Sequence, residues 1–433
     1  MRQLYLAVAL HKITYGINIW YTPPEKPTRS KKSTGSVSTL CSLQKTQRIA
    51  TLAITGTLRP TPNDFIDIYA GIFPMKLALL RACHNSLLRM LTLPDYHPLH
   101  WIIQDTKCSP PVKHHSPIDL LIKWFGLGNT KIEMISPIAS LTYPTTKYTT
   151  TIAPSRKESI ESEKSNKADF KIFSDGSGHK NGIGTAAILY KKGRLSGIKT
   201  LQAYIGTPDK HNTYEAEILG PILVLWILYN SPETLGKMVS LYTDNQSIID
   251  ALSSHKLAPG QYLINNLRTA ANATMCKLEI KWISDHSKVK GNEAADNLAK
   301  EAALGRLSAL ANLPHILRNP LLFSVSALKQ NYTSELKTQW SRLWDASPWK
   351  AKIKQLGDKF PFSKHHKMLH TLTRKQSSLI LQLKCAHFPL NVYLHRINKS
   401  DTDRCQAYAK DQTPSPIKLP HPGKQSTTTY SNA

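Results

Sequence analysis

The chain has 433 residues, with 56 Lys plus Arg against 29 Asp plus Glu, giving a formal charge of +27. That length allows two or three domains and at least one sizeable core, and 41% hydrophobic with 20% charged residues excludes a disordered or collagen-like chain. Charge of this sign and size points to a polyanionic partner, of which nucleic acid is the commonest. The longest apolar run, Ile218 to Tyr229, is about half the roughly 20 residues a spanning helix needs. Pro221 also interrupts it, so no membrane association is expected. Six cysteines are scattered without any C-x-x-C, which fits a reducing, intracellular compartment, nuclear or cytoplasmic, and neither a disulfide scaffold nor an intact zinc site.

In chain order, Leu4 to Leu10 follows Arg2 like a short signal core, but His11 and Lys12 replace a small-residue cleavage site, so it reads as a packed segment. Leu40, Leu43, Gln47, Ala50, Ile54 and Leu58 fall at helical spacing, closed by Pro60 and Pro62. Residues 1–142 are read as a mainly helical, basic region, and residues 143–168, rich in Thr and charge, as a solvated linker, partly helical. Residues 169–305 alternate between strand and helix. Strands are expected at Phe170 to Phe173, ending in a turn at Ser174 to Gly178, and at Ile183 to Tyr190, Gly197 to Tyr204, Val239 to Thr243 and Leu278 to Ile283. Helices are expected at Asn212 to Tyr229, Gln246 to Leu252, Tyr262 to Thr274 and Glu293 to Ala303. Three strands followed by alternating helix and strand define an α/β fold, a five-stranded mixed sheet flanked by helices. A basic helical region, 306–411, follows, and then a disordered Pro/Ser/Thr tail, 412–433.

Counted by segment, residues 1–169 carry 21 basic and 11 acidic groups, residues 170–304 carry 15 and 12, and residues 305–433 carry 20 and 6. The net charges of +10, +3 and +14 place the polyanion-holding capacity on the flanks. In the near-neutral middle, carboxylates recur at strand ends and helix starts: Asp175, Glu215 and Glu217, Asp244 and Asp296. Neighbouring strand ends of such a sheet converge on one edge. Crowded carboxylates repel unless cations neutralise them, hard oxygen ligands suit Mg²⁺ or Mn²⁺, and paired ions of this kind cut phosphodiesters. Each of these residues taken alone is also an ordinary turn or cap residue.

The set is more specific than its members. F-K-I-F-S-D-G-S-G around Asp175, A-E-I-L at Glu217, L-Y-T-D-N-Q at Asp244, and W-I-S-D-H-S-K-V-K-G-N-E-A-A-D-N-L-A-K with His286 and Asp296 resemble the ribonuclease H family in order and context. The resemblance covers residues 170–304. It implies a two-metal endonuclease that cuts the RNA strand of an RNA:DNA hybrid, with Asp175, Glu217, Asp244 and Asp296 holding two Mg²⁺ (or Mn²⁺) ions and His286 assisting proton transfer or product release. Asn245 and Gln246 beside Asp244, and Lys288 and Lys290 on the His loop, are candidate hybrid contacts. Glu215 and Glu217 lie about 200° apart around a helix, so only one can face Asp175. Glu217 has the family's apolar and small followers, and Glu215 is the fallback. Pro221 inside that helix, and Asp285 before His286, depart from the family pattern.

The flanks resemble LINE-type (non-LTR) retrotransposon polyproteins. L-Q-K-T-Q-R-I-A-T-L-A-I-T-G-T-L-R-P-T-P-N-D is similar to the region following their polymerase, and L-T-R-K-Q-S-S-L-I-L-Q-L-K-C-A-H-F-P-L is similar to the approach to their zinc knuckle. No adjacent Asp-Asp pair occurs, so reverse transcription by this chain is not expected, and Tyr408 stands where the knuckle after Cys405 needs a second thiolate. Trp340, Trp344 and Trp349 interleave with basic residues. They are read as core, or as a stacking platform for single strands. Two rivals to the nuclease remain: a catalytically decayed nucleic-acid-binding relic, with Pro221 spoiling the site, and a DNA-cutting integrase of related fold.

Overall fold

The computed structural model describes residues 1–26, 32–108, 115–136, 146–194, 196–254, 257–285, 289–350 and 371–404. The chain forms two compact units, one made of Met1–Cys83 with Glu335–Ala433 and the other of His84–Ser334.

The second unit is built on a sheet of six strands: β1 (Tyr148–Thr151), β2 (Phe170–His179), β3 (Gly182–Lys191), β4 (Lys199–Gly206), β5 (Met238–Thr243) and β6 (Lys277–Trp282). Their order is β1-β6-β5-β2-β3-β4. The β2–β3 and β3–β4 pairs are antiparallel, and the other pairs are parallel. The helices used below are α1 (Arg156–Ser165), α2 (Thr213–Tyr229), α3 (Gln246–Ser253), α4 (Gln261–Ala273), α5 (Lys290–Ala303) and α6 (Val325–Asp345).

The α/β expectation holds, with three differences. The sheet has six strands rather than five, because Tyr148–Thr151, within the segment expected to be a linker, pairs with β6. Its only fully buried side chain is Tyr148, too weak an apolar signal to read in sequence, although its Thr run suits a pleated edge. The expected turn at residues 174–178 is instead strand. The chain reverses at Lys180 and Asn181, both at positive φ (44° and 67°). Gly176 serves close approach rather than a turn, since a Cβ there would lie 2.3 Å from the backbone nitrogen of Glu217. The G-N-E motif, finally, lies within the first turn of α5 and not before it.

Most of the core lies between the sheet and α2, α3 and α4. Twelve of the seventeen residues of α2 are buried, as expected of a helix that is apolar all round, and each buried Leu or Ile contributes roughly 1.5–3 kcal/mol. A smaller cluster fills the opposite face, where Phe173, Tyr242, Ile283 and Val289 pack with Ile160 of α1. Gly291 there lets α5 sit against Phe173, whose ring would be 2.2 Å from an added Cβ. The helix α2 runs unbroken through Pro221. Proline has no N–H, so the carbonyl of Glu217 lacks its regular i+4 donor.

In the first unit, the helix Val37–Thr55 ends at Gly56, with φ 67°. Phe65, Ile66, Ile68 and Tyr69 pack with Trp344, Leu381 and Cys385, and Trp340 and Trp349 lie against that cluster, so the tryptophans serve as core. Tyr5 packs with Ala70 and Ile72 while Leu4 is exposed, so the N-terminal segment is only partly packed. Cys405, Tyr408 and the tail 412–433 lie outside the described residues. No described helix is long and apolar enough to cross a membrane.

Candidate active site

The catalytic candidates sit on different elements. Asp175 lies well along β2, opposite Ala186 of β3. It is 6% exposed, and one carboxylate oxygen accepts the N–H of Gly176 at 2.7 Å. Glu217 projects from the second turn of α2, and Asp244 follows the last residue of β5, with its carbonyl accepting Nε1–H of Trp282 at 3.0 Å. Carboxylate oxygens of these three residues lie within 4.8 Å of one another, the only such group among the described residues.

This crowding has an electrostatic cost. Burial, and then the charge of Asp244, push the Asp175 carboxyl from 3.8 up to about 8, with Asp296 and Asp285 adding to the rise. Burial, followed by Asp244, Asp175 and Asp285, holds Glu217 well above the ordinary carboxylate range. Oε2 of Glu217 is buried without a hydrogen-bond partner. Hard oxygens held this close, one of them without a donor, fit a divalent cation. Asp296, on α5, stands at the edge of the cluster. Its carboxylate pairs with Lys300 at 2.6 Å, yet it is near enough to raise Asp175.

Glu215 is placed elsewhere. It is 1% exposed and closes a capping box with Asn212, each residue's side chain accepting the other's N–H at 2.9 Å. Of the two glutamates, Glu217 is the one beside Asp175. Asn245 caps α3, its side-chain oxygen accepting the N–H of Ser247 at 3.0 Å, while Gln246 and Lys290 are exposed first residues of α3 and α5. His286 and Lys288 lie outside the described residues.

Two contributions escaped the sequence reading. Asp285, noted there only as a departure beside His286, adds repulsion to both Asp175 and Glu217. Arg156, in the stretch expected to be a linker, donates to Ser284 Oγ and to the Asp285 carbonyl, each at 2.7 Å. It thereby braces the backbone just before His286. Its sequence neighbourhood, R-K-E-S-I-E-S-E-K, looks like solvated surface and carries no signal of that contact.

A mixed sheet with carboxylates gathered from β2, α2 and the end of β5 defines a domain suited to metal-assisted phosphodiester chemistry. Residues 167–304 match the RNase H family model. No curated protein matches the chain. Solved structures similar to it include LC11-RNase H1, isolated from compost by a metagenomic approach and solved with an RNA/DNA hybrid (19% identity, 31% of this chain and 97% of that one, TM-score 0.27). RNase H1 of Halobacterium salinarum has 18% identity, covering 32% and 98%, with TM-score 0.26. The N-terminal RNase H domain of a Mycobacterium tuberculosis protein has 18% identity, covering 32% and 95%, with TM-score 0.27.

Proposed function

We propose that residues 167–304 hydrolyse the RNA strand of RNA:DNA hybrids, with two Mg²⁺ (or Mn²⁺) ions held by Asp175, Glu217, Asp244 and Asp296. The observation that carries this reading is the convergence of three carboxylates within 4.8 Å in a segment that matches the RNase H family. Bound ions supply the positive charge under which water loses its proton and the leaving oxygen gains charge.

The protein's own part is to hold the acids in place. Asp175 is fixed by the β2 ladder, and Lys300 orients Asp296. His286 assists proton transfer or product release, while Asn245, Gln246, Lys288 and Lys290 contact the hybrid, whose RNA strand is told apart by its 2′-hydroxyls. The basic flanks, 1–142 and 306–411, hold nucleic acid non-specifically, with 143–168 leading from the first of them into the nuclease segment and the tail 412–433 following the second. Their sequence resemblances support an origin in a LINE-type retrotransposon polyprotein.

The test is direct. Purified protein with Mg²⁺ cleaves the RNA strand of a labelled hybrid, and Asp175→Asn abolishes the cleavage. Wild-type protein that leaves the hybrid intact in both Mg²⁺ and Mn²⁺ overturns the reading.

A further inference from the structure

Three helices begin at one buried point within the second unit: α2 behind its cap Asn212, α4 behind Gly260, and α6 at Val325. A single carboxylate serves two of them. Glu133 is fully buried, with Oε2 accepting the N–H of Gly260 at 2.5 Å and Oε1 that of Val325 at 2.9 Å. A carboxylate between two helix N-termini is favourably placed, because the unpaired N–H groups and the helix dipoles both point positive charge at it.

The strands of chain on either side tie this point to α2. Glu133 N–H donates to the Phe323 carbonyl at 3.1 Å, Ser324 N–H donates to the Lys210 carbonyl at 2.8 Å, and Nδ2 of Asn212 donates to Ser324 Oγ at 3.1 Å. The ring of His211, 4% exposed, lies 3.5 Å from the Glu215 carboxylate that closes the cap. Neither Glu133 nor residues 323–325 fall within the segment matching the RNase H family, so this anchorage is this chain's own.

Such an anchor matters because of Pro221. The carbonyl of Glu217 has no i+4 donor, so the turn carrying the Glu217 carboxylate is under-held by its own helix and depends on what fixes the helix start five residues earlier. We propose that Glu133 is a positioning residue for the acidic cluster: by clamping the first turns of α4 and α6 beside the Asn212 cap, it sets the register of α2 and hence the place of the Glu217 carboxylate. The inference rests on reading that cluster as a metal site.

The experiment uses the full chain and Mn²⁺ as the probe, with binding followed by electron paramagnetic resonance independently of turnover. Glu133→Gln keeps the volume but turns an amide NH₂ towards one of the two N–H groups. It is expected to weaken Mn²⁺ binding about tenfold and to lower kcat on the hybrid by a similar factor, with KM for the hybrid within about twofold of wild type. Leu278→Ala, at the start of β6 and away from the strand ends that carry the acids, is the control that lowers the melting temperature without moving Mn²⁺ affinity. Pro221→Ala, which returns a donor to the Glu217 carbonyl, is expected to cut the Glu133→Gln loss to under about threefold. Wild-type Mn²⁺ affinity in a folded Glu133→Gln protein overturns the proposal. If Glu133→Gln does not fold, Ser324→Ala, which removes only the bond from Asn212, takes its place, and an unchanged Mn²⁺ affinity there overturns it equally. Wild-type protein that binds Mn²⁺ but cuts no hybrid refutes the nuclease reading alone and leaves the positioning test standing on binding.

Discussion

Replacing Asp175 by Asn should stabilise the metal-free protein while abolishing its chemistry. The Asp175 carboxyl takes its proton at about 8 in the fold against 3.8 ordinarily. Between those values the unfolded chain has lost a proton that the folded chain keeps, so stability falls as pH rises from about 4 to about 8. At about 1.4 kcal/mol per pH unit, the interval sets an upper limit of about 5–6 kcal/mol. Part of the repulsion is relieved when Glu217 or Asp244 takes a proton instead, and about 2–3 kcal/mol is a working figure. For a domain of this size that amounts to roughly 5–10 °C in melting temperature. The variant keeps an oxygen to accept the Gly176 N–H and gains an amide that can donate to its acidic neighbours. Melting followed by circular dichroism in EDTA should show both proteins losing stability between pH 5 and pH 8, with Asp175→Asn losing about 2–3 kcal/mol less than the wild type. Asp67 and Glu133, both pushed up to about 7 by burial, titrate in both proteins and cancel in the comparison. Saturating Mg²⁺ should restore the wild type at pH 8 and do little for the variant. Identical pH dependence of the two proteins in EDTA would refute the reasoning.

Three further outcomes follow from the packing. Glu217→Gln should eliminate cleavage while leaving or raising the melting temperature, since it replaces a buried carboxyl that its acidic neighbours keep from ionising by a neutral group of the same volume; a variant that cleaves at the wild-type rate places the metal ligand elsewhere. Gly176→Ala forces a Cβ to within 2.3 Å of the Glu217 nitrogen, and the displacement of α2 should cost about 1–3 kcal/mol in a urea titration together with most of the Mn²⁺ affinity. Arg156→Ala removes two bonds to the backbone and side chain of 284–285, worth about 1.5–3 kcal/mol for a charged donor. Single-turnover cleavage should slow by about tenfold or more if that energy holds the loop for chemistry, and unchanged turnover would confine Arg156 to stability.

What could be read from sequence alone follows from which forces are local. The helices α2 to α5 and strands β2 to β6 announce themselves through periodicity and caps: Asn212 with Glu215 three residues on is a capping box legible in one line of sequence and present in the structure. That same box distinguishes the two glutamates, because a side chain folded back on its own N-cap is unavailable to Asp175. Gly176 and Gly178 misled for a physical reason. Glycine marks either a turn or a close approach, and only the position of α2 shows which. β1 and Arg156 were illegible because their partners, β6 and Ser284–Asp285, are more than 120 residues away, and a short Thr-rich strand or a lone arginine carries no trace of a distant acceptor. Glu133 is the extreme case. An isolated acid in a basic flank reads as surface, and only the meeting of two helix starts at its carboxylate turns it into a fully buried anchor. Local chemistry therefore singles out the candidate acids Asp175, Glu217 and Asp244, and the long-range contacts decide how firmly they are held.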